Sequence, residues 1–143
     1  MELNLINQSK KPLPRAFLKT WVADVERALR ARRVKLPRAA ELSIVFMDPG
    51  PAKALNLEYR GRAYATDVLS FQNEEPLGDL VLCPQVLERQ AREHELSFRE
   101  ELGYMVIHGM LHLLGFDHET NERDAKKMFT LQDAIFEKLR ASL

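Results

Sequence analysis

The stretch SFREELGYMVIHGMLHLLGFDH, residues Ser97 to His118, decides how this chain is read. Ser97 with Glu100 forms the S-x-x-E capping box that opens a helix. From Phe98 the chain stays helical and apolar to about Leu114, and Gly115 then offers the left-handed conformation that ends a helix. Three of the four histidines, His108, His112 and His118, close the stretch with the spacing H-x3-H-x2-G-x2-H. On a helix His108 and His112 lie one turn apart and project from one face. Gly115 turns the chain back, and His118 returns to the same side as a third imidazole. Three histidine ligands leave a fourth position for water or substrate, the arrangement of catalytic rather than structural zinc. A lone histidine on an apolar helix is more often a core residue, but three in this frame point to a metal. The expected cofactor is Zn2+, one ion per chain; imidazole also suits nickel, copper or iron.

Zinc peptidases of the H-E-x-x-H type carry, directly after the first histidine, the glutamate that acts as general base. Here that position is Gly109. Loss of positioned acid–base help typically costs about 10²–10⁴-fold, which argues against peptide hydrolysis. Gly109 is also expected to open space at the metal for a bulkier, more anionic group. RNA carries its own nucleophile in the 2′-hydroxyl, so phosphodiester is the better candidate substrate.

Other residues near the frame admit blander readings. His94, isolated in AREHEL, is expected in the core or simply exposed. Cys83 reads as a small buried residue at a strand end. Asp117 either orients a ligating imidazole or shapes a turn. Tyr104 either walls the site or packs, with packing favoured. Met105, Val106, Met110, Leu113 and Leu114 are core.

Outward from the frame, ELNLINQ (2–8) alternates like a strand, and Pro14 starts a helix running to about Arg33. ELSIVFMD (41–48) is a buried strand broken by Asp48-Pro-Gly-Pro, and AKALNLEYRG is a short helix closed by Gly61. DVLSFQN (67–73) and GDLVLCP (78–84) read as neighbouring strands, and QVLERQAREH as a helix. A last amphipathic helix from about Glu119 to Leu139 carries Ala125, Met128, Phe129, Ile135, Phe136 and Leu139. The order β-α-β-α-β-β-α-α-α predicts a single α+β domain over residues 1–143. Its small mixed sheet of about four strands is covered by helices, with a zincin-like metal-binding helix.

The 143 residues are 45% hydrophobic and 29% charged, as in an ordinary globular domain. No run approaches the roughly 18 apolar residues of a membrane span. MELNLINQSKK lacks the basic and apolar regions of a secretory signal. One cysteine fits a reducing cytosol, so a cytoplasmic protein without a membrane partner is expected. Net charge is zero, yet residues 1–72 hold 13 Lys+Arg against 7 Asp+Glu, and residues 73–143 hold 8 against 14. Between Lys10 and Arg38 ten basic residues face only Asp24 and Glu26. Such a segment meets phosphate by simple electrostatics, or is a solvated face balanced by the acidic half.

HGMLHLLGFDH, together with LNLEYRG (55–61), TDVLSF (66–71) and LGDLVLC (77–83), resembles the YbeY-type bacterial rRNA maturation factors, zinc-dependent single-strand endoribonucleases. The likeness is close from about Leu42 to His118. It implies that His108, His112 and His118 are the zinc ligands and that Arg60, in Y-R-G, is functionally important. A guanidinium there either clamps a phosphate bidentately or is a cation at a helix C-terminus; the resemblance favours the phosphate. Ser70 could reach the site from a strand, with packing favoured. The family often has proline after LSF where Gln72 stands here, and NEEPLGD is short, which is expected to alter one wall of the cleft. The implied function is endoribonucleolytic maturation of the small-subunit rRNA 3′ end, within ribosome assembly and quality control. Implied partners are ribosomal RNA, the small ribosomal subunit and its assembly factors, with the Lys10–Arg38 surface as an RNA-contacting face. The rivals are a non-catalytic assembly factor with a structural zinc and a zinc hydrolase of another substrate class.

Overall fold

The computed structural model describes residues 1–61, 67–72 and 77–143. Thr66 of the TDVLSF motif and residues 73–76 of the NEEPLGD loop lie outside the described residues.

Two inner strands organise the molecule. β2 (Glu41–Met47) and β4 (Leu77–Leu82) pair in parallel, with Ile44 opposite Leu80 and Phe46 opposite Leu82. β1 (Glu2–Gln8) adds to β2 in parallel, and β3 (Val68–Phe71) closes the other edge antiparallel to β4, giving the order β1-β2-β4-β3. Strands covered on both faces read as near-continuous apolar runs, and ELSIVFM and LGDLVL do so; the edge strand β1 alternates instead. The pleat sends Leu42, Ile44, Phe46, Leu80 and Leu82 to one side, and Val45 and Val81 to the other. Each such buried side chain contributes about 1.5–3 kcal/mol, and a one-residue slip would turn the whole set to the wrong face. The apolar pattern therefore holds the register.

Against the larger face lie α1 (Arg15–Ala31), α4 (Phe98–Leu113) and α5 (Glu122–Arg140). α2 (Pro49–Arg60) sends Leu55 to the smaller cluster on the other face. α3 (Pro84–Glu93) follows β4, and Cys83 is buried at that junction as expected. The result is the α+β architecture read from the sequence, with a four-stranded mixed sheet and five helices among the described residues. Trp21 is 2% exposed, and its indole N–H donates to the Gly103 carbonyl at 2.9 Å, fastening α1 to α4. No helix among the described residues is long and apolar enough to cross a membrane.

The differences from the expected elements have local causes. Asp48-Pro-Gly-Pro does not merely break β2: Pro49 enters the first turn of α2, where a missing N–H goes unnoticed, and Ala52 N–H donates to the Asp48 carbonyl. α5 begins at Glu122 rather than Glu119, because Asn121 Oδ1 caps the Asp124 N–H at 2.8 Å. α1 ends with Arg33 at φ 61°, the left-handed position usual for glycine, while Val34 N–H reaches back to the Leu29 carbonyl. His94 sits at the C-terminus of α3 with its ring half exposed and Nδ1 3.0 Å from the carboxylate of Glu101, which is 1% exposed.

Candidate metal centre

The local chemistry of α4 builds the site. The capping box forms as expected: Glu100 N–H donates to Ser97 Oγ, and Ser97 N–H to the Glu100 carboxylate. At the other end Gly115 has φ 99°; its N–H donates to the His112 carbonyl and Phe116 N–H to the Leu111 carbonyl. This paired closure satisfies two end carbonyls and turns the chain across the helix end. Asp117 then accepts from Glu119 N–H and Thr120 Oγ1, so it shapes the turn that carries His118. Those two hydrogen bonds also hold its carboxyl below the ordinary range.

The three imidazoles come together. Ring centroids are 4.8 Å apart for His108 and His112, 4.9 Å for His108 and His118, and 4.8 Å for His112 and His118. One nitrogen from each ring lies within 4.8 Å of the others, a cluster that can hold a metal ion. Burial lowers the pKa of His108 and of His112, which keeps both neutral and able to ligate near pH 7. His118 Nδ1 is buried with no hydrogen-bond partner among the described residues. A buried nitrogen left without such a partner, beside two imidazoles kept neutral, suits a set able to hold a borderline cation such as zinc.

Gln132 holds the cluster from outside and was not legible from the histidine frame. It is fully buried on α5; its Oε1 lies 2.9 Å from His108 Nδ1, and its Nε2 donates to the Tyr104 carbonyl. With its amide so oriented, it accepts the Nδ1 proton and leaves His108 Nε2 with its lone pair free. The available signal was a glutamine on the core-facing stripe Met128, Gln132, Ile135. Phe129, expected on the apolar face of this helix, lies outside the core. It is 38% exposed, with its ring centroid 6.0 Å from that of His108 and 5.4 Å from that of His118. Tyr104 packs on Phe136 and donates to Asp133, so it does not wall the site.

The histidines open into a cleft of about 670 Å³, whose wall includes Arg60, Asp67, Ser70, Gln72 and Glu119. Arg60 is thus brought to the cleft, where its guanidinium pairs with Glu119 Oε1 at 3.1 Å. Both partners are substantially exposed, so the pair is worth at most about 1 kcal/mol and leaves Arg60 available to an anion. Ser70 does face the cleft, against the packing reading. Gln72 uses its Nε2 to donate to the Leu113 carbonyl, a bond that proline at this position cannot make.

The expectation for Gly109 is corrected. A Cβ built there would stand 2.6 Å from Leu80 Cδ2, so the residue faces the sheet and gives no space to the metal. Position i+1 lies about 100° around the helix from His108, which here means toward β4. A side chain at 109 would be driven into the core.

This geometry can be set beside known proteins. The family model described as Endoribonuclease YbeY matches residues 4–140. The chain belongs to the YbeY endoribonuclease family. It is 52% identical over 143 residues to the endoribonuclease YbeY of Bdellovibrio bacteriovorus, covering 97% of this chain and 95% of that one. Against the Sulfurihydrogenibium YbeY it is 40% identical, covering 97% and 93%. The solution structure of TM1509 from Thermotoga maritima superposes with a TM-score of 0.69 at 28% identity, covering 98% of this chain and 90% of that one. The family is named for cleaving RNA, in line with the sequence reading of an endoribonuclease rather than a peptidase.

Proposed function

We propose that this YbeY-family chain is a zinc-dependent, single-strand endoribonuclease of the cytoplasm. It matures the small-subunit rRNA 3′ end within ribosome assembly and quality control. The observation that carries the reading is that three clustered imidazoles and one weakly held guanidinium line the same cleft.

When bound by His108, His112 and His118, Zn2+ would supply Lewis acidity toward water and phosphoryl oxygen. Gln132 keeps the His108 proton on Nδ1, so that Nε2 keeps its lone pair for ligation. Arg60 exchanges Glu119 for the scissile phosphate, which its planar fork grips through two N–H···O bonds. It then stabilises the charge that grows on the phosphoryl oxygens. The 2′-hydroxyl of RNA serves as nucleophile: the O2′–P bond forms as the P–O5′ bond breaks. Its proton passes through solvent to the leaving O5′, leaving a 2′,3′-cyclic phosphate and a 5′-hydroxyl, so a carboxylate at position 109 is not needed. Ribosomal RNA, the small subunit and its assembly factors are the partners of this reading.

The test is cleavage of a small-subunit rRNA 3′ precursor by purified protein, wild type beside Arg60→Ala and His112→Ala, with folding and zinc content measured in each. Cleavage by wild type that is lost in both variants is the expected result. Undiminished cleavage by a His112→Ala protein that binds no metal overturns the mechanism. No cleavage by zinc-loaded wild type replaces it with a binding role in ribosome assembly.

A further inference from the structure

Phe116 forms part of two walls. On one side it borders the metal cleft; on the other it borders a groove of about 750 Å³ between the C-terminal end of α1 and the first half of α5. Arg32, Arg33, Arg123, Lys126 and Lys127 ring this groove over a floor of Val34, Leu131 and Ala134. All five cations are exposed, and none has an ion pair among the described residues. Lys127 Nζ lies 5.8 Å from the Phe116 ring centroid.

Folding alone does not favour this cluster. Arg123 and Lys127 are like charges one turn apart on α5, and such pairs cost roughly 0.2–0.5 kcal/mol. Arg123 also sits in the first turn, at the positive end of the helix dipole. Arg33 holds a left-handed φ of 61° that glycine would adopt with less strain. Several small penalties converge on one concave surface, and an external polyanion relieves the electrostatic ones.

We propose that the single-stranded RNA flanking the scissile phosphate passes over Phe116 into this groove. Its phosphates face the five cations, and its bases lie against Phe116 and the apolar floor. The assignment rests on the metal cleft being an RNA site. It favours RNA over an acidic peptide because the groove shares the Phe116 wall with that cleft and offers an aromatic ring as well as charge. Stacking platforms beside a basic track are how single strands are held without sequence readout.

The test uses zinc-loaded protein and 2′-O-methyl oligoribonucleotides, which resist cleavage, of about 4 and about 16 nucleotides. Affinity is read by fluorescence anisotropy across a salt series. In wild type the longer strand binds more tightly and with the steeper salt dependence. In R123Q/K126Q/K127Q, whose glutamines keep good helix propensity, the slope for the longer strand falls by about 2, from about 0.7 for each of three phosphate contacts. Its affinity then moves toward that of the shorter strand, Arg32 and Arg33 remaining, with zinc content unchanged and melting no lower than in wild type. A gap between the two strands that the substitutions leave unchanged overturns the proposal, and so does an unchanged RNA slope beside lost binding of polyglutamate, which reassigns the groove to a protein. If instead the cleft is not an RNA site, the shorter strand fails to bind wild type, a separate failure.

Discussion

Gln132 Oε1 and His108 Nδ1 stand 2.9 Å apart, joining a fully buried amide on α5 to the first imidazole of the metal cluster on α4. Replacement by leucine leaves a buried ring N–H without an acceptor, which costs about 1–3 kcal/mol of stability. The ring also loses what fixes its orientation, so zinc affinity is expected to fall about 10–100-fold. Gln132→Glu retains an acceptor and should recover most of the affinity. Competition with a chromophoric chelator measures both; equal zinc binding by Gln132→Leu and wild type would remove the assigned role.

Arg60 and Glu119 form an exposed pair, so breaking it should barely touch stability. Arg60→Ala is expected to melt within about 0.5 kcal/mol of wild type yet to cleave about 10²–10³-fold more slowly, the scale for losing a donor that stabilises developing charge. Arg60→Lys should not restore the rate, since an ammonium cannot make the two-pronged contact. Glu119→Gln frees the guanidinium and should tighten RNA binding by at most about fivefold, the equivalent of the pair's upper limit of about 1 kcal/mol.

Gly109 faces Leu80 too closely for a methyl group. Gly109→Ala is therefore expected to destabilise by about 1–3 kcal/mol, the usual range for overpacking. In the Leu80→Ala background the same change should cost less, because the obstructing Cδ atoms are gone. Chemical denaturation of the four proteins gives the coupling. Additive effects would show that the two residues do not compete for space.

His94 has its pKa raised by the hydrogen bond to Glu101 and by that carboxylate's charge. A group whose folded pKa lies above its unfolded value stabilises fully below the latter, about 6.5, and loses that contribution as pH rises through the folded value. The stability of wild type relative to His94→Gln should therefore be largest below pH of about 6.5 and shrink on the alkaline side. The half-exposed ring keeps the effect small. A difference that is flat in pH would show the pair to be uncharged.

Arg33 offers an opposite trade. Arg33→Gly relieves a left-handed φ and is expected to gain up to about 1 kcal/mol, while lowering the salt dependence of binding to the longer RNA. Thermal melts and the anisotropy series read the two effects separately. A stabilised variant with undiminished RNA binding would leave the strain without a functional counterpart.

What the sequence disclosed follows from range. The capping box, the turn at Gly115 and the one-turn histidine spacing are made by residues within a few positions of each other. The near-continuous apolar runs of the inner strands are also local, so α4, its three histidines and the mixed sheet were legible. Gln132 is 24 residues from His108, and Glu119 is 59 from Arg60; only packing of α5 and the end of α2 brings them in. Phe129 has the periodicity of a core residue because a helix stripe covers imidazoles as readily as leucines. The spacing placed Gly109 beside His108 but carried no information about Leu80, so its side of the helix was misread.

The turn after α4 has a consequence for how metal and folding are coupled. His108 and His112 are fixed by a capped helix packed on the sheet, and His118 by hydrogen bonds at Gly115, Phe116 and Asp117. None of these fastenings uses the ion. On the proposed reading the three imidazoles are therefore held together without it, unlike a zinc finger, whose chain is unfolded until the metal binds. Chelation should leave a folded protein that melts earlier only by the mass-action term, about 2.7 kcal/mol for metal held at 100 times its Kd. On that reading the ion is a passenger on a finished scaffold, one that can be loaded or stripped without rebuilding the protein.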